Sequence, residues 1–194
     1  MNIPVVFEDD WLLVVDKPAG LLSVPTPKNE SRTLTSILNQ DAQEKKSEVH
    51  LYPCHRLDRQ TSGLVIYAKS KAIEQKMADV FRDRKVSKKY IAFVHGKLAH
   101  AQGVISSAIE GKSALTKYKV IQEKSNYSVV QIVPVTGRTN QIRIHFKSIQ
   151  HPLVGEDKFI FRKDFTLRFK RICLHAKELE FTHPVTQKQL SLRL

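Results

Sequence analysis

The apolar positions of the chain fall into short compact runs and two longer amphipathic stretches. Residues 12–15 (LLVV) and 65–68 (VIYA) are runs of the kind that become buried strands. Residues 89–94, 115–121 and 127–133 are rich in the β-branched and aromatic side chains that suit a pleated surface. Near the end, residues 178–181 read as another strand, and Leu190, Leu192 and Leu194 alternate with Ser191 and Arg193 at a period of two. Two stretches repeat at helical spacing instead. Ser70 is placed to cap a helix whose Ile73, Met77 and Phe81 share one stripe, with lysines opposite. Residues 139–149 put Ile142, Phe146 and Ile149 on one stripe and Arg143 and Lys147 along another edge. The polar run 39–48 (NQDAQEKKSE) reads as a surface loop or the frayed end of a short helix. Strands outnumber helices and do not alternate with them regularly. That pattern argues against a doubly wound parallel fold and for the α+β class, with a mixed or antiparallel sheet.

Composition narrows the picture. With 194 residues, 41% of them hydrophobic, and only 7 Gly and 8 Pro, the chain reads as one globular domain over residues 1–194, with a single core or two lobes. No run approaches the roughly 18 apolar residues of a membrane span, and Met1-Asn2-Ile3-Pro4 lacks the features of a signal peptide. An intracellular, cytoplasmic protein is therefore expected. Two cysteines, Cys54 and Cys173, make no disulfide framework. The histidines are scattered, with no pair at metal-binding spacing, so no metal is assigned.

Charge changes the picture more. Lys and Arg total 32 against 19 Asp and Glu, a net +13 that suits a polyanionic partner such as nucleic acid, although a merely soluble basic protein would carry it too. The first 22 residues are net acidic, and the excess lies in two blocks, residues 69–90 (+5) and 138–177 (+7). The second block crowds Arg162, Lys163, Arg168, Lys170 and Arg171 together, which predicts a basic face or rim.

The most unusual segment is Cys54-His55-Arg56-Leu57-Asp58-Arg59-Gln60-Thr61-Ser62-Gly63, a loop leading into the second apolar run. Asp58 stands between Arg56 and Arg59, and flanking positive charge favours its ionised form, able to act as nucleophile or base. Thr61 and Ser62 can bond the carboxylate or close the turn, and Gly63 permits a bend. Taken alone, the segment also fits an ordinary surface Arg-Asp-Arg cluster.

His55-Arg56-Leu57-Asp58 followed by Thr61-Ser62-Gly63-Leu64 resembles the active-site signature of the RluA-type family of RNA pseudouridine synthases. Further segments resemble that family's blocks in the same order: residues 10–21 (DWLLVVDKPAGL), then Phe81-Arg82, Lys88-Lys89-Tyr90 and Gly96. Residues 136–145 (TGRTNQIRIH), 151–155 (HPLVG), Leu174-His175-Ala176 and His183-Pro184 complete the set, so the resemblance covers nearly the whole chain. It implies a pseudouridine synthase fold, with a central mixed or antiparallel sheet, flanking helices and an active-site cleft. The opening block starts within ten residues of Met1, which implies a stand-alone catalytic domain with no N-terminal S4-type RNA-binding domain.

The implied reaction breaks the C1′–N1 bond of a uridine in RNA, turns the base and rejoins it through C5. No group is oxidised or lost, so neither cofactor nor metal is expected. Asp58 is the implied catalytic carboxylate, acting at C1′ or on the C2′ proton. Arg143 is its expected bidentate partner. Tyr90 would stack on the base and move a proton late in the reaction, and Leu174 would lie on the base's other side. Arg56 would fill the gap left by an extruded uridine. Arg138 would bind a phosphate or serve structure, and Lys17 with the basic rim would hold phosphates. The implied substrate is an rRNA or tRNA stem-loop, and the implied enzyme is a monomer. Asn140 departs from the histidine that many relatives carry. Two other readings stand beside this one: a non-catalytic RNA-binding or folding protein on the same fold, and a carboxylate glycosidase or nuclease, which would call for a second acid near Asp58.

Overall fold

The structure is a computed structural model that describes residues 2–27, 30–159, 167 and 169–194. In chain order its elements are β1 (Val5–Glu8), β2 (Leu12–Lys17), α1 (Leu34–Glu44), β3 (Tyr52–Pro53), β4 (Ser62–Ala68), α2 (Lys71–Arg82) and β5 (Ser87–His95). There follow β6 (Gln102–Ser106), β7 (Leu115–Glu123), β8 (Tyr127–Pro134), α3 (Gln141–Ser148), β9 (Leu174–Thr182) and β10 (Gln189–Arg193). The chain divides into two compact units, Met1–Ser87 with Lys177–Leu194, and Lys88–Ala176.

In the first unit β2 runs antiparallel to both β1 and β4, with Leu12 opposite Ala68 and Lys17 opposite Gly63. β3 adds to β4, and β10 to β9, also antiparallel. Every residue of β4 is buried. Its neighbours explain why: Leu64 and Ile66 pack with Leu12, Val14 and with Ile73 and Met77 of α2, while Tyr67, of opposite parity, meets Thr35 of α1 through its hydroxyl at 3.1 Å. A strand covered on both faces has no reason to alternate, hence the continuous apolar runs. Ser70 caps α2 by accepting from the Ile73 N–H, as the spacing predicts. The polar run 39–48 proves half helical, since α1 extends to Glu44.

In the second unit β5, β8, β7 and β6 pair in that order, all antiparallel, with Tyr90 opposite Ile132 and Tyr118 opposite both Ile132 and Gly103. α3 lays Ile142 and Phe146 into a core with Ala92, Val94, Val130, Ile132, Leu153 and Leu174. The expected α+β class and antiparallel pairing are thus realised in both units.

The first basic block is less bare than its composition implies. Lys69, Lys71, Arg82 and Lys85 pair with Glu8, Glu74, Asp79 and Asp83 at 2.7 to 3.1 Å. Of the second block's crowded cations, Lys170 and Arg171 are exposed, while Arg162, Lys163 and Arg168 lie outside the described residues. Among the described residues no helix is long and apolar enough to cross a membrane.

Candidate active site

Asp58 sits in the loop between β3 and β4. Leu57, immediately before it, is buried and bonded through both backbone groups to one side chain: its N–H donates to Ser23 Oγ at 3.0 Å, and Ser23 Oγ donates to its carbonyl at 2.9 Å. Immediately after it, the Arg59 carbonyl accepts from the Gly20 N–H at 2.8 Å and from Lys17 Nζ at 3.2 Å. The Thr61 N–H closes the turn on the Asp58 carbonyl at 3.0 Å. Gly63 then enters β4 at a φ of +117°, a conformation that a Cβ would strain. The backbone is therefore pinned on either side of Asp58.

One sequence expectation needs correction here. Lys17 does not hold phosphate: it is fully buried, and its ammonium donates to the carbonyls of Pro18, Leu21 and Arg59 at 2.9, 2.7 and 3.2 Å. Burial pulls its pKa down to about 8, against the charges of Asp58 and Asp16, which favour the ammonium. Lys17 therefore supplies the positive charge expected beside Asp58. The Arg59 guanidinium pairs with Glu30 at 3.1 Å on the surface. Arg56 is exposed on the same loop. Burial pushes the Cys54 thiol up to about 12, which keeps it protonated and unreactive near neutral pH. His55 accepts the Ile66 N–H at 3.1 Å and packs its ring on Phe81, a structural role.

Arg143 lies in the second unit. Its bidentate carboxylate partner is Glu156, with Nε donating to Oε2 and Nη2 to Oε1, each at 2.7 Å. Nη1 donates to Asn140 Oδ1 at 2.8 Å. The helix stripe predicted an edge position for Arg143, yet it is buried beside Ile142. Its charge is tolerated there because Glu156 is buried with it. Gly155, at a φ of +80°, makes the turn that delivers Glu156; a side chain at Gly155 would collide with the Arg171 carbonyl.

The start of α3 is anchored by Gln141, whose amide oxygen accepts from Thr136 Oγ1 and the Arg138 N–H at 2.7 and 3.0 Å. Its amide nitrogen donates to the Leu115 carbonyl and Thr116 Oγ1, both at 3.0 Å. His145, its pKa lowered by burial, joins Thr116 Oγ1 and the Ser107 carbonyl at 2.9 and 3.1 Å. Arg138 is partly exposed and donates Nε–H to the Ser113 carbonyl at 3.1 Å. Tyr90 on β5 is half-buried against the second unit's core, and Leu174, 3% exposed, is a member of that core. Lys17, Arg56 and Asp58 thus belong to the first unit, and Tyr90, Arg138, Arg143 and Leu174 to the second. Sequence reasoning missed Ser23, Gln141 and Glu156. Only Gln141, beside an apolar stripe, carried any local signal.

The comparisons with known proteins bear on this arrangement. Residues 11–148 match the family model described as RNA pseudouridylate synthase. A protein of Haemophilus influenzae named dual-specificity RNA pseudouridine synthase RluA is 35% identical over 97% of this chain and 91% of its own length. The protein of that name from Yersinia pestis is 36% identical over 93% of this chain and 92% of its own. Among solved structures, human RNA pseudouridylate synthase domain containing 1 superposes with a TM-score of 0.80 at 26% identity, covering 100% of this chain and 83% of that one.

Proposed function

The chain belongs to the RNA pseudouridylate synthase family, as an RluA-type member, and on that premise we propose that Asp58 is the carboxylate with which it isomerises a uridine in RNA to pseudouridine. The observation that carries the assignment is the pinning of Leu57 by Ser23 and of Arg59 by Lys17 and Gly20, one residue to either side of Asp58. A group that must meet one carbon of a ribose gains rate from being held in place before the substrate arrives. Cleavage of C1′–N1 leaves a cationic sugar carbon that a carboxylate can trap, or avoids it if the carboxylate first takes the C2′ proton. The base rejoins through C5 and the C5 proton departs, so the atoms balance within substrate and solvent.

The remaining roles rest on the family blocks. Arg143 serves the same reaction as Asp58, Tyr90 stacks on the uracil and handles a proton, and Arg56 fills the space of the extruded nucleotide. Arg138 faces phosphate. Leu174 supports Tyr90 through the core they share, which is a more modest task than contacting the base. The substrate is a stem-loop of rRNA or tRNA, held largely by phosphate contacts, and the enzyme works as a cytoplasmic monomer.

The test is to incubate the purified chain with RNA from cells lacking its gene and to map pseudouridine. New pseudouridine at one or a few uridines is expected. Asp58→Asn should lower the rate by at least about 10³-fold while leaving RNA affinity within about threefold. Binding without isomerisation by the wild type would support the non-catalytic reading, and free uracil or a cut strand would support the glycosidase or nuclease.

A further inference from the structure

Arg143 is held on more sides than a surface or merely core arginine requires. Glu156 takes two of its five N–H groups in the fork geometry that makes arginine–carboxylate pairs directional, and Asn140 takes a third. The Phe159 ring lies against the guanidinium, 4.9 Å from its central carbon. Glu156 is itself immobilised, its Oε1 accepting the backbone N–H groups of Asp157, Lys158 and Phe159 at 3.2, 2.9 and 3.2 Å. Burial alone would raise its pKa, but the bond and charge of Arg143, with those backbone donors, hold it below the usual carboxylate range.

Asn140 supplies an independent sign of purpose. It occupies the N-cap position of α3, where an asparagine ordinarily accepts a backbone N–H of the first turn. It makes no such bond, stands at a φ of +54°, and gives its side-chain oxygen to Arg143 instead. Asparagine tolerates this left-handed backbone better than most residues.

We infer that Glu156 is a positioning residue for the isomerisation, which, with Asn140, fixes the plane and direction of the Arg143 guanidinium; the inference rests on the proposed role of Arg143 in that reaction. The Arg143–Glu156 pair carries no net charge, so what this arrangement delivers is orientation. A buried pair of this kind contributes little to stability compared with apolar packing, which leaves geometry as the reason to build it.

The test uses the full chain with Glu156→Gln, which keeps the shape and removes the charge. At saturating RNA the single-turnover rate should fall about 10- to 100-fold, as when an outer partner of a functional group is removed, with RNA affinity within about threefold and cooperative melting retained. The Arg143 Nε–H proton resonance, assigned by its loss in Arg143→Lys, should shift and exchange faster with solvent. Glu156→Asp, which restores the carboxylate, should recover part of the rate and of the resonance. An unchanged rate in Glu156→Gln, or a rate loss matched by lost RNA affinity or by unfolding, overturns the inference while leaving the pseudouridine synthase reading intact. A wild-type protein that isomerises no uridine overturns both. The resonance separates a clamp that exists without catalytic consequence from one that does not exist at all.

Discussion

The Asp58 loop and the Arg143 helix each hold one charged side chain, and they do so by opposite means. Around Asp58 the bonds go to the backbone of its neighbours: Ser23 to Leu57, and Lys17 and Gly20 to Arg59. Around Arg143 they go to the functional group itself, from Glu156 and Asn140. The first arrangement fixes the backbone that carries the carboxylate, whereas the second engages the guanidinium itself. It follows that neutralising Asp58 leaves the bonds to Leu57 and Arg59 in place, while removing Arg143 strands a buried acid.

That asymmetry gives the largest expected effect. Arg143→Ala leaves the Glu156 carboxylate buried without its partner and should destabilise the chain by about 3–5 kcal/mol, read as a shift in urea midpoint. Asp58→Asn, which keeps the side chain's shape and leaves no buried acid unpaired, should move that midpoint much less. Combining Arg143→Met with Glu156→Leu should bring stability back to within about 1–2 kcal/mol of the wild type without restoring turnover. An Arg143→Ala variant as stable as the wild type would break the comparison at its root.

A smaller effect tests the backbone side. Ser23→Ala removes a hydroxyl that serves both the N–H and the carbonyl of buried Leu57 and should cost about 1–3 kcal/mol. Because it loosens the residue next to Asp58, it should also slow single turnover roughly tenfold, through misplacement of the reacting group, with RNA affinity retained. Destabilisation with an unchanged rate would show that the Ser23 bonds support the fold but not the carboxylate.

The same contrast explains what could be read in advance. β2 and β4 were legible because burial on both faces leaves an unbroken apolar run, and α2 because Ser70 and its stripe agree. α1 was not, since only Leu34, Ile37 and Leu38 are buried and its start rests on a capping box between Thr33 and Ser36. β1 and β6 carry strongly exposed Val5 and Val104, so their register comes from their partners and not from their own pattern. At the site, Asp58 stood out by its neighbours, but its supports come from Ser23 and Lys17, far back in the chain, and a serine in an ordinary loop has no periodic signature. Glu156 carried no signal in the sequence because the turn at Gly155 that delivers it is a tertiary event.

The smallest effect concerns pH and separates the two regions. Lys17 has a folded-state pKa of about 8, below the 10.5 of an unperturbed lysine. Between those values the unfolded chain binds more protons than the folded one, so this residue makes stability rise with pH across that window and adds no slope below about 8, where both states are protonated. Lys17→Met, which keeps the buried stem, should abolish that rise in a comparison of unfolding free energies from pH 7 to 10.5. Catalysis should move the other way. As pH passes about 8 the ammonium loses a proton, leaving two N–H groups for the carbonyls of Pro18, Leu21 and Arg59 and removing the positive charge near Asp58. The single-turnover rate should decline above that pH in the wild type, whereas Lys17→Met should be slower at every pH but lack this decline. Arg143 keeps its charge throughout the range, so alkaline pH loosens the loop and leaves the helix clamp unaltered. An identical decline in Lys17→Met would assign it to another group and remove Lys17 from the support of Asp58.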